Sequence, residues 1–99
     1  HTYMMKRSYL LTNLRQKQDL KQKEAAKRAR MSPTYLSLVE NGKKEASVQV
    51  LRRLSKLYGI PYVVLAWEKP ETKSLGKKEK AIIRNIDSQM HELVGTLVA

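Results

Sequence analysis

Catalysis needs reactive side chains at workable spacing, and in this chain the reactive types are scarce. The 99 residues contain no cysteine, which removes disulfides, thiolate metal ligation and a cysteine nucleophile. The histidines are His1 and His91. His91-Glu92 lacks a second histidine at the spacing a zinc-binding helix requires. Asp87 and Glu92 lie five apart, off any shared helical face, and read as solvated charges rather than an acid–base pair. No glycine-rich phosphate loop or nucleophile elbow occurs. The expectation is therefore a protein that is not an enzyme and that holds no metal and no cofactor.

Positive charge is what the chain has in excess. Twenty Lys and Arg stand against nine Asp and Glu, a formal net charge of +11. Residues 1–31 hold nine basic and two acidic side chains, residues 32–67 five and two, and residues 68–99 six and five. Nearly all of the excess thus lies in the first two-thirds. Such a bias attracts polyanions, nucleic acid above all, by releasing their condensed counterions. A solvated charged face accounts for a lone lysine run, but less well for an excess sustained over 67 residues. By charge alone, RNA or an anionic membrane surface also fits.

The elements that must carry these side chains are helical. Apolar residues make up 41% with no Phe, enough for one small core of Leu, Val, Ile, Ala, Met, Tyr and Trp. No apolar run approaches the roughly 18–20 residues that span a bilayer. Residues 1–7 (HTYMMKR) lack a signal-peptide apolar region and read as a tag remnant and lead-in. The expected protein is soluble and cytoplasmic.

A first helix is predicted from about Lys6 to Lys17 with Leu10, Leu11 and Leu14 inward, and a second from Gln22 to Ala29. Ala25, Ala26 and Ala29 give the second a slim inner face that permits close approach by a neighbour. The third has the clearest start. Ser32 is a good N-cap, and Pro33 suits the first helical position, where its missing N–H leaves nothing unpaired. Leu36 and Val39 face inward, and Asn41-Gly42 supplies a left-handed stop. Ser47 caps a fourth helix in which Val48, Leu51, Leu54 and Leu57 recur until Gly59. A short fifth follows Pro61. The polar stretch 68–76 reads as a linker. A last helix over 77–99 carries Ile82, Ile83, Ile86, Met90, Leu93, Val94 and Leu97 as one apolar stripe. Seven apolar side chains must be covered, either by fold-back or by a second copy, and pairing with a second copy is preferred.

Leu14-Arg15, Leu20-Lys21-Gln22, Ala26, Met31-Ser32, Tyr35-Leu36-Ser37 and Val39-Glu40-Asn41-Gly42-Lys43-Lys44 occur at fixed offsets. With Ser47, Leu51, Leu54, Gly59-Ile60 and Leu65 they resemble the Cro/C1-type, XRE-like helix-turn-helix family across about residues 8–67. The resemblance implies an all-α, five-helix, lambda-repressor-like DNA-binding domain over 8–67, to which the helix at 77–99 adds a dimerisation element. It further implies a sequence-specific, double-stranded DNA-binding regulator, a homodimeric repressor whose helix 32–41 enters the major groove. The base-reading residues would be Pro33, Thr34, Tyr35, Ser37 and Leu38. The phosphate contacts would be Lys21, Gln22, Lys23, Ser32, Lys43 and Lys44. Arg15 and Glu40 match a family ion pair, and Trp67 and Tyr62 read as packing residues.

Departures from the family pattern are specific. Asp19 and Arg30 stand where glycine is common, and aspartate tolerates the left-handed conformation better than arginine does. Pro33 and Leu38 offer no side-chain hydrogen bond, which shifts base reading toward Thr34, Tyr35, Ser37, thymine methyls and DNA shape. The rival reading is a protein-interaction adaptor, or an antitoxin-like partner, that uses the last helix to hold another protein.

Overall fold

The computed structural model describes residues 6–99. Most of the expected tag remnant, residues 1–5, lies outside them. Six helices follow one another: α1 (Arg7–Lys17), α2 (Gln22–Arg28), α3 (Pro33–Glu40), α4 (Val48–Tyr58), α5 (Tyr62–Ala66) and α6 (Lys77–Val98). The described residues contain no strand, as an all-α chain requires.

The starts of these helices are written in local hydrogen bonds. Ser32 Oγ accepts from the Tyr35 N–H at 3.0 Å and Ser47 Oγ from the Val50 N–H at 3.2 Å. Each satisfies an amide that the helix leaves free. Glu24 Oε1 accepts from the Lys21 N–H at 3.3 Å at the head of α2.

The ends of α1 to α4 repeat one device. Asp19, Arg30, Gly42 and Gly59 all adopt positive φ, at 56°, 59°, 72° and 69°. The next N–H reaches back five residues each time: Leu20 to Arg15 O, Met31 to Ala26 O, Lys43 to Leu38 O and Ile60 to Ser55 O, at 2.9–3.2 Å. This closes otherwise unpaired carbonyls. Leu20, Met31 and Ile60 then pack on the core, so each stop also anchors the chain that leaves it. Arg30 makes its turn without glycine, and the guanidinium of Arg53 donates to its carbonyl at 3.2 Å.

Leu11, Leu36, Leu54 and Leu65 are wholly buried at the centre. Ala25 and Ala26 are buried just as completely. Methyl-sized side chains there let α2 lie close against α3, with which it shares its main contacts. Arg7, read from sequence as lead-in, opens α1 instead. It donates through Nε to Leu65 O at 2.8 Å and through Nη2 to Glu68 Oε1 at 3.0 Å, tying the start of α1 to the end of α5.

Beyond the stretch 68–76, α6 folds back against α1. Val94 and Val98 pack on the core. Lys17 Nζ donates to Leu97 O and Ala99 O at 2.9 Å each, placing a cation at the negative end of the helix. Asp87 corrects the sequence reading. It is only 8% exposed, accepts from the Trp67 indole N–H at 2.7 Å and lies 3.6 Å from His91 Nε2. Burial of Asp87 follows from the fold-back, which no local pattern announces. The stripe expected as one surface is divided as well: Val94 faces the body, whereas Ile82, Ile86 and Leu93 are exposed.

Two outcomes test this architecture. Arg30→Gly relieves a left-handed arginine and is expected to stabilise the fold by about 0.5–1 kcal/mol in urea unfolding. Asp87→Ala strips the indole N–H of Trp67 of its acceptor. The expected loss is about 1.5–3 kcal/mol, with a change in Trp67 fluorescence that reports α6 docking.

Candidate nucleic-acid interface

One ion pair organises the region. Arg15, near the end of α1, donates through Nε to Glu40 Oε2 at 2.9 Å and to Oε1 at 3.2 Å. Its Nη1 donates to Leu20 O at 2.8 Å, so the same guanidinium holds the α1–α2 turn. Only 12% of the Arg15 side chain and 2% of the Glu40 side chain is exposed. Gln22, the first residue of α2, adds a third hydrogen bond through Nε2 to Glu40 Oε1 at 3.0 Å. Glu40 therefore joins the end of α3 to both preceding helices. Nearby, the buried Tyr58 hydroxyl is pushed well above the usual phenol range. Burial is the main cause, the charge of Glu40 adds to it, and Arg15 opposes it.

The pairing solves an electrostatic problem. An unpaired carboxylate at the end of a helix that faces a polyanion would repel it, and a buried one would carry a heavy desolvation penalty. The ion pair with arginine, whose Nε–H is shared between the two carboxylate oxygens, removes both objections. Gln22 keeps its second amide hydrogen, which leaves one donor for an outside anion while the first fixes the side chain.

With Leu36, Val39 and Glu40 turned inward, α3 presents a distinct outer edge. Pro33, Thr34 and Leu38 are exposed, and Ser37 is half-buried with its hydroxyl accepting from Asn41 Nδ2 at 3.3 Å. Tyr35 is placed differently from the other expected base readers. It is half-buried against the core, and its hydroxyl accepts from the Ser47 N–H at 3.4 Å. The ammonium of Lys44 lies 5.7 Å from its ring centroid. Tyr35 thus braces the loop from α3 to α4 and positions Lys44.

Lys21, Lys23, Lys43 and Lys44 are all exposed, at the head of α2 and in the loop that leaves α3. Ser32 is exposed too, its oxygen capping α3 and its hydroxyl hydrogen still free to donate. Trp67 meets α6 through Asp87, and Tyr62 stacks beneath the Arg52 guanidinium at 4.3 Å. Sequence reasoning passed over the partners of Arg53 and Arg7, and read Asn41 only as part of a helix stop. The i,i+4 spacing of Ser37 and Asn41 was a usable signal, whereas the long-range partners of Arg7 and Arg53 left none. Among the described residues no group of three His, Cys, Asp or Glu side chains converges to hold a metal, and no helix is long and apolar enough to cross a membrane.

The combination of a short α2, a tight left-handed turn and an α3 with one buried face and one free edge is what a helix-turn-helix model describes. A family model of that description matches residues 11–65, more than half of the chain. The chain belongs to the Cro/C1-type helix-turn-helix family. No curated protein and no solved structure matches it. Membership marks it as a DNA-binding protein of the kind that regulates transcription. Within that fold, α2 and α3 form the helix-turn-helix, and Arg30 makes the turn between them.

Removing half of the central ion pair strands the other half. Glu40→Ala is expected to destabilise this helix-turn-helix protein by about 3–5 kcal/mol in urea unfolding. Arg15→Met combined with Glu40→Leu is expected to lose far less, because no buried charge remains unpaired. Equal losses in the single and double variants would rule out this account.

Proposed function

We propose that this protein is a sequence-specific, double-stranded DNA-binding repressor that works in the cytoplasm as a homodimer. In this reading residues 8–67 are the DNA-reading domain, 68–76 a linker and 77–99 the dimerisation element. The observation that carries it is the free edge of α3. Pro33, Thr34 and Leu38 are exposed while the opposite face is sealed in the core, and exposed lysines flank the edge in sequence on both sides.

The division of labour follows from side-chain chemistry. Lys21, Lys23, Lys43 and Lys44 supply charge to phosphates, and Gln22 and Ser32 supply directed hydrogen bonds. Thr34 and Ser37 hydrogen-bond base edges, while Pro33 and Leu38 offer apolar contact to thymine methyls. Tyr35 contributes chiefly by holding the α3–α4 loop and only secondarily by touching a base. Few side chains here make bidentate base contacts, so DNA shape carries part of the specificity. Two copies would place their α3 helices in successive major grooves, about 10 bp apart centre to centre. Repression follows from occupancy of such a site.

Selection of purified protein against a randomised duplex library at about 150 mM salt tests the proposal, since weak non-specific binding is suppressed there. A two-fold symmetric enriched site is expected. On that site Thr34→Ala and Ser37→Ala are expected to relax base preference. Lys43→Ala is expected to weaken cognate and scrambled DNA alike and to reduce the salt slope by about 1. No enrichment from folded protein would favour the adaptor or antitoxin-like reading, in which α6 engages another protein.

A further inference from the structure

The fold-back of α6 does not seal it onto the body. A cavity of about 650 Å³ lies between them, within the roughly 300–1,000 Å³ of small-molecule sites. Its walls come from the start of α1, the loop between α3 and α4, the end of α5 and one side of α6. Small residues keep it open: Ser8, Gly42 and Ala46 line it with little or no side chain. Leu10, Val64, Met90 and Val94 line it as well, together with Trp67. An apolar body placed there finds partners on α1, α5 and α6 at once.

Two polar groups bordering this space are incompletely used. His91 Nε2 lies 3.6 Å from Asp87. Its Nδ1 is buried, with no hydrogen-bond partner among the described residues. An imidazole whose Nε2–H faces a carboxylate keeps a lone pair at Nδ1, which accepts from a hydroxyl or an N–H. A buried polar atom without a partner calls for one. Arg7 is the second group. Its Nε is fixed on Leu65 O at 2.8 Å and its Nη2 on Glu68 Oε1 at 3.0 Å. Its Nη1 faces Glu45 Oε2 at 3.6 Å, and the Glu45 side chain is 88% exposed. A guanidinium pinned on one edge, with a solvated carboxylate on the other, is preorganised to take a different anion.

The charges around the opening agree. Glu45, Glu68 and Asp87 line the cavity and each is paired. Lys6, Lys44 and Lys69 line it too and form no ion pair among the described residues. The uncommitted charge is therefore positive and attracts an anion.

We propose that this cavity binds a small organic acid. Its apolar rings lie against Leu10, Met90 and Val94, its anionic group on Arg7 Nη1, and a hydroxyl or N–H donates to His91 Nδ1. Glu45 swings into solvent to admit it, which costs little for so exposed a pair. The occupant bridges α1, α5 and α6 and so holds the last helix to the body. Such a site goes beyond the DNA reading proposed above and does not depend on it.

The unmodified full-length chain, without DNA, is titrated with anilinonaphthalene sulfonate, which carries apolar rings, an N–H and one anionic group. NMR reads the indole N–H of Trp67, the single tryptophan, and the methyl of Met90. Saturable shifts at both are expected. The uncharged analogue phenylnaphthylamine is expected to bind at least about tenfold more weakly, and Arg7→Gln to remove that difference. Met90→Trp and Ser8→Leu fill the cavity from α6 and from α1. Each is expected to weaken the sulfonate at least about tenfold with helix content unchanged. Ile82→Ser, at an exposed position that does not line the cavity, is expected to bind as the unmodified chain does. Binding that leaves Trp67 and Met90 unshifted, or equal affinity for the two probes, would overturn the proposal. So would a loss in Ile82→Ser, which would place the probe on the outer side of α6. These two NMR titrations use the unmodified chain, so they decide the matter even where a variant does not fold. Because DNA is absent throughout, a failure here leaves the DNA-reading proposal standing, and a failed DNA selection leaves this site standing.

Discussion

The contact between Arg15 and Glu40 is the constraint on which the arrangement of the first three helices depends. A carboxylate only 2% exposed in its side chain cannot sit in a protein interior alone. Its partner must arrive from α1, and its remaining lone pairs must be filled from α2, which Gln22 does. The guanidinium in turn reaches the carbonyl of Leu20 and so holds the turn into α2. Three helices are registered by one charged cluster. Such a cluster is weak as a source of net stability once desolvation is counted, but it is directional where apolar packing is not. That directionality orients the outer edge of α3, as the base reading proposed for that edge would require.

Around the cluster, steric economy complements electrostatics. Alanines at 25, 26 and 29 bring α2 against α3, and the left-handed stops after α1, α2, α3 and α4 turn the chain sharply enough to keep the helices short. The stop at Arg30 is the strained member of the set, because a side chain at φ 59° crowds its own carbonyl. The strain sits in the turn of the helix-turn-helix, where Met31 and the Arg53 hydrogen bond hold it in place. Tyr35 extends the same logic. A ring half-buried beside the core, with its hydroxyl against the Ser47 N–H, fixes the loop that carries Lys43 and Lys44. Side chains of types suited to touching DNA thus divide into those left free and those that hold the free ones in position.

The last helix serves two sides at once. Its inner side is bound to the body by Val94, Val98, the Lys17 contacts at its end and the Trp67–Asp87 hydrogen bond. Its outer side keeps three large apolar residues in water. An apolar arc wider than one neighbour can cover is the physical reason that fold-back alone leaves α6 incompletely satisfied.

The amino-acid sequence by itself determined the helical class, the order of the helices and most of their ends, because caps, stops and apolar periodicity are local. Ser32-Pro33, Ser47 and Gly59 act within one turn of themselves and need no distant partner. The pairing of Arg15 with Glu40 was legible only through family resemblance, since nothing in a separation of 25 residues announces it. The left-handed turns at Asp19 and Arg30 were legible only through the family resemblance, which has glycine at those positions, since neither residue announces the conformation itself. Tertiary structure alone decided the burial of Asp87, the reach of Arg7 to the end of α5, the bracing role of Tyr35 and the division of the α6 stripe. Each of these depends on which element arrives opposite. A side chain's neighbours along the chain set its helix, but its neighbours in space set its solvent, and solvent decides whether a charge or an apolar group is structural or free to bind.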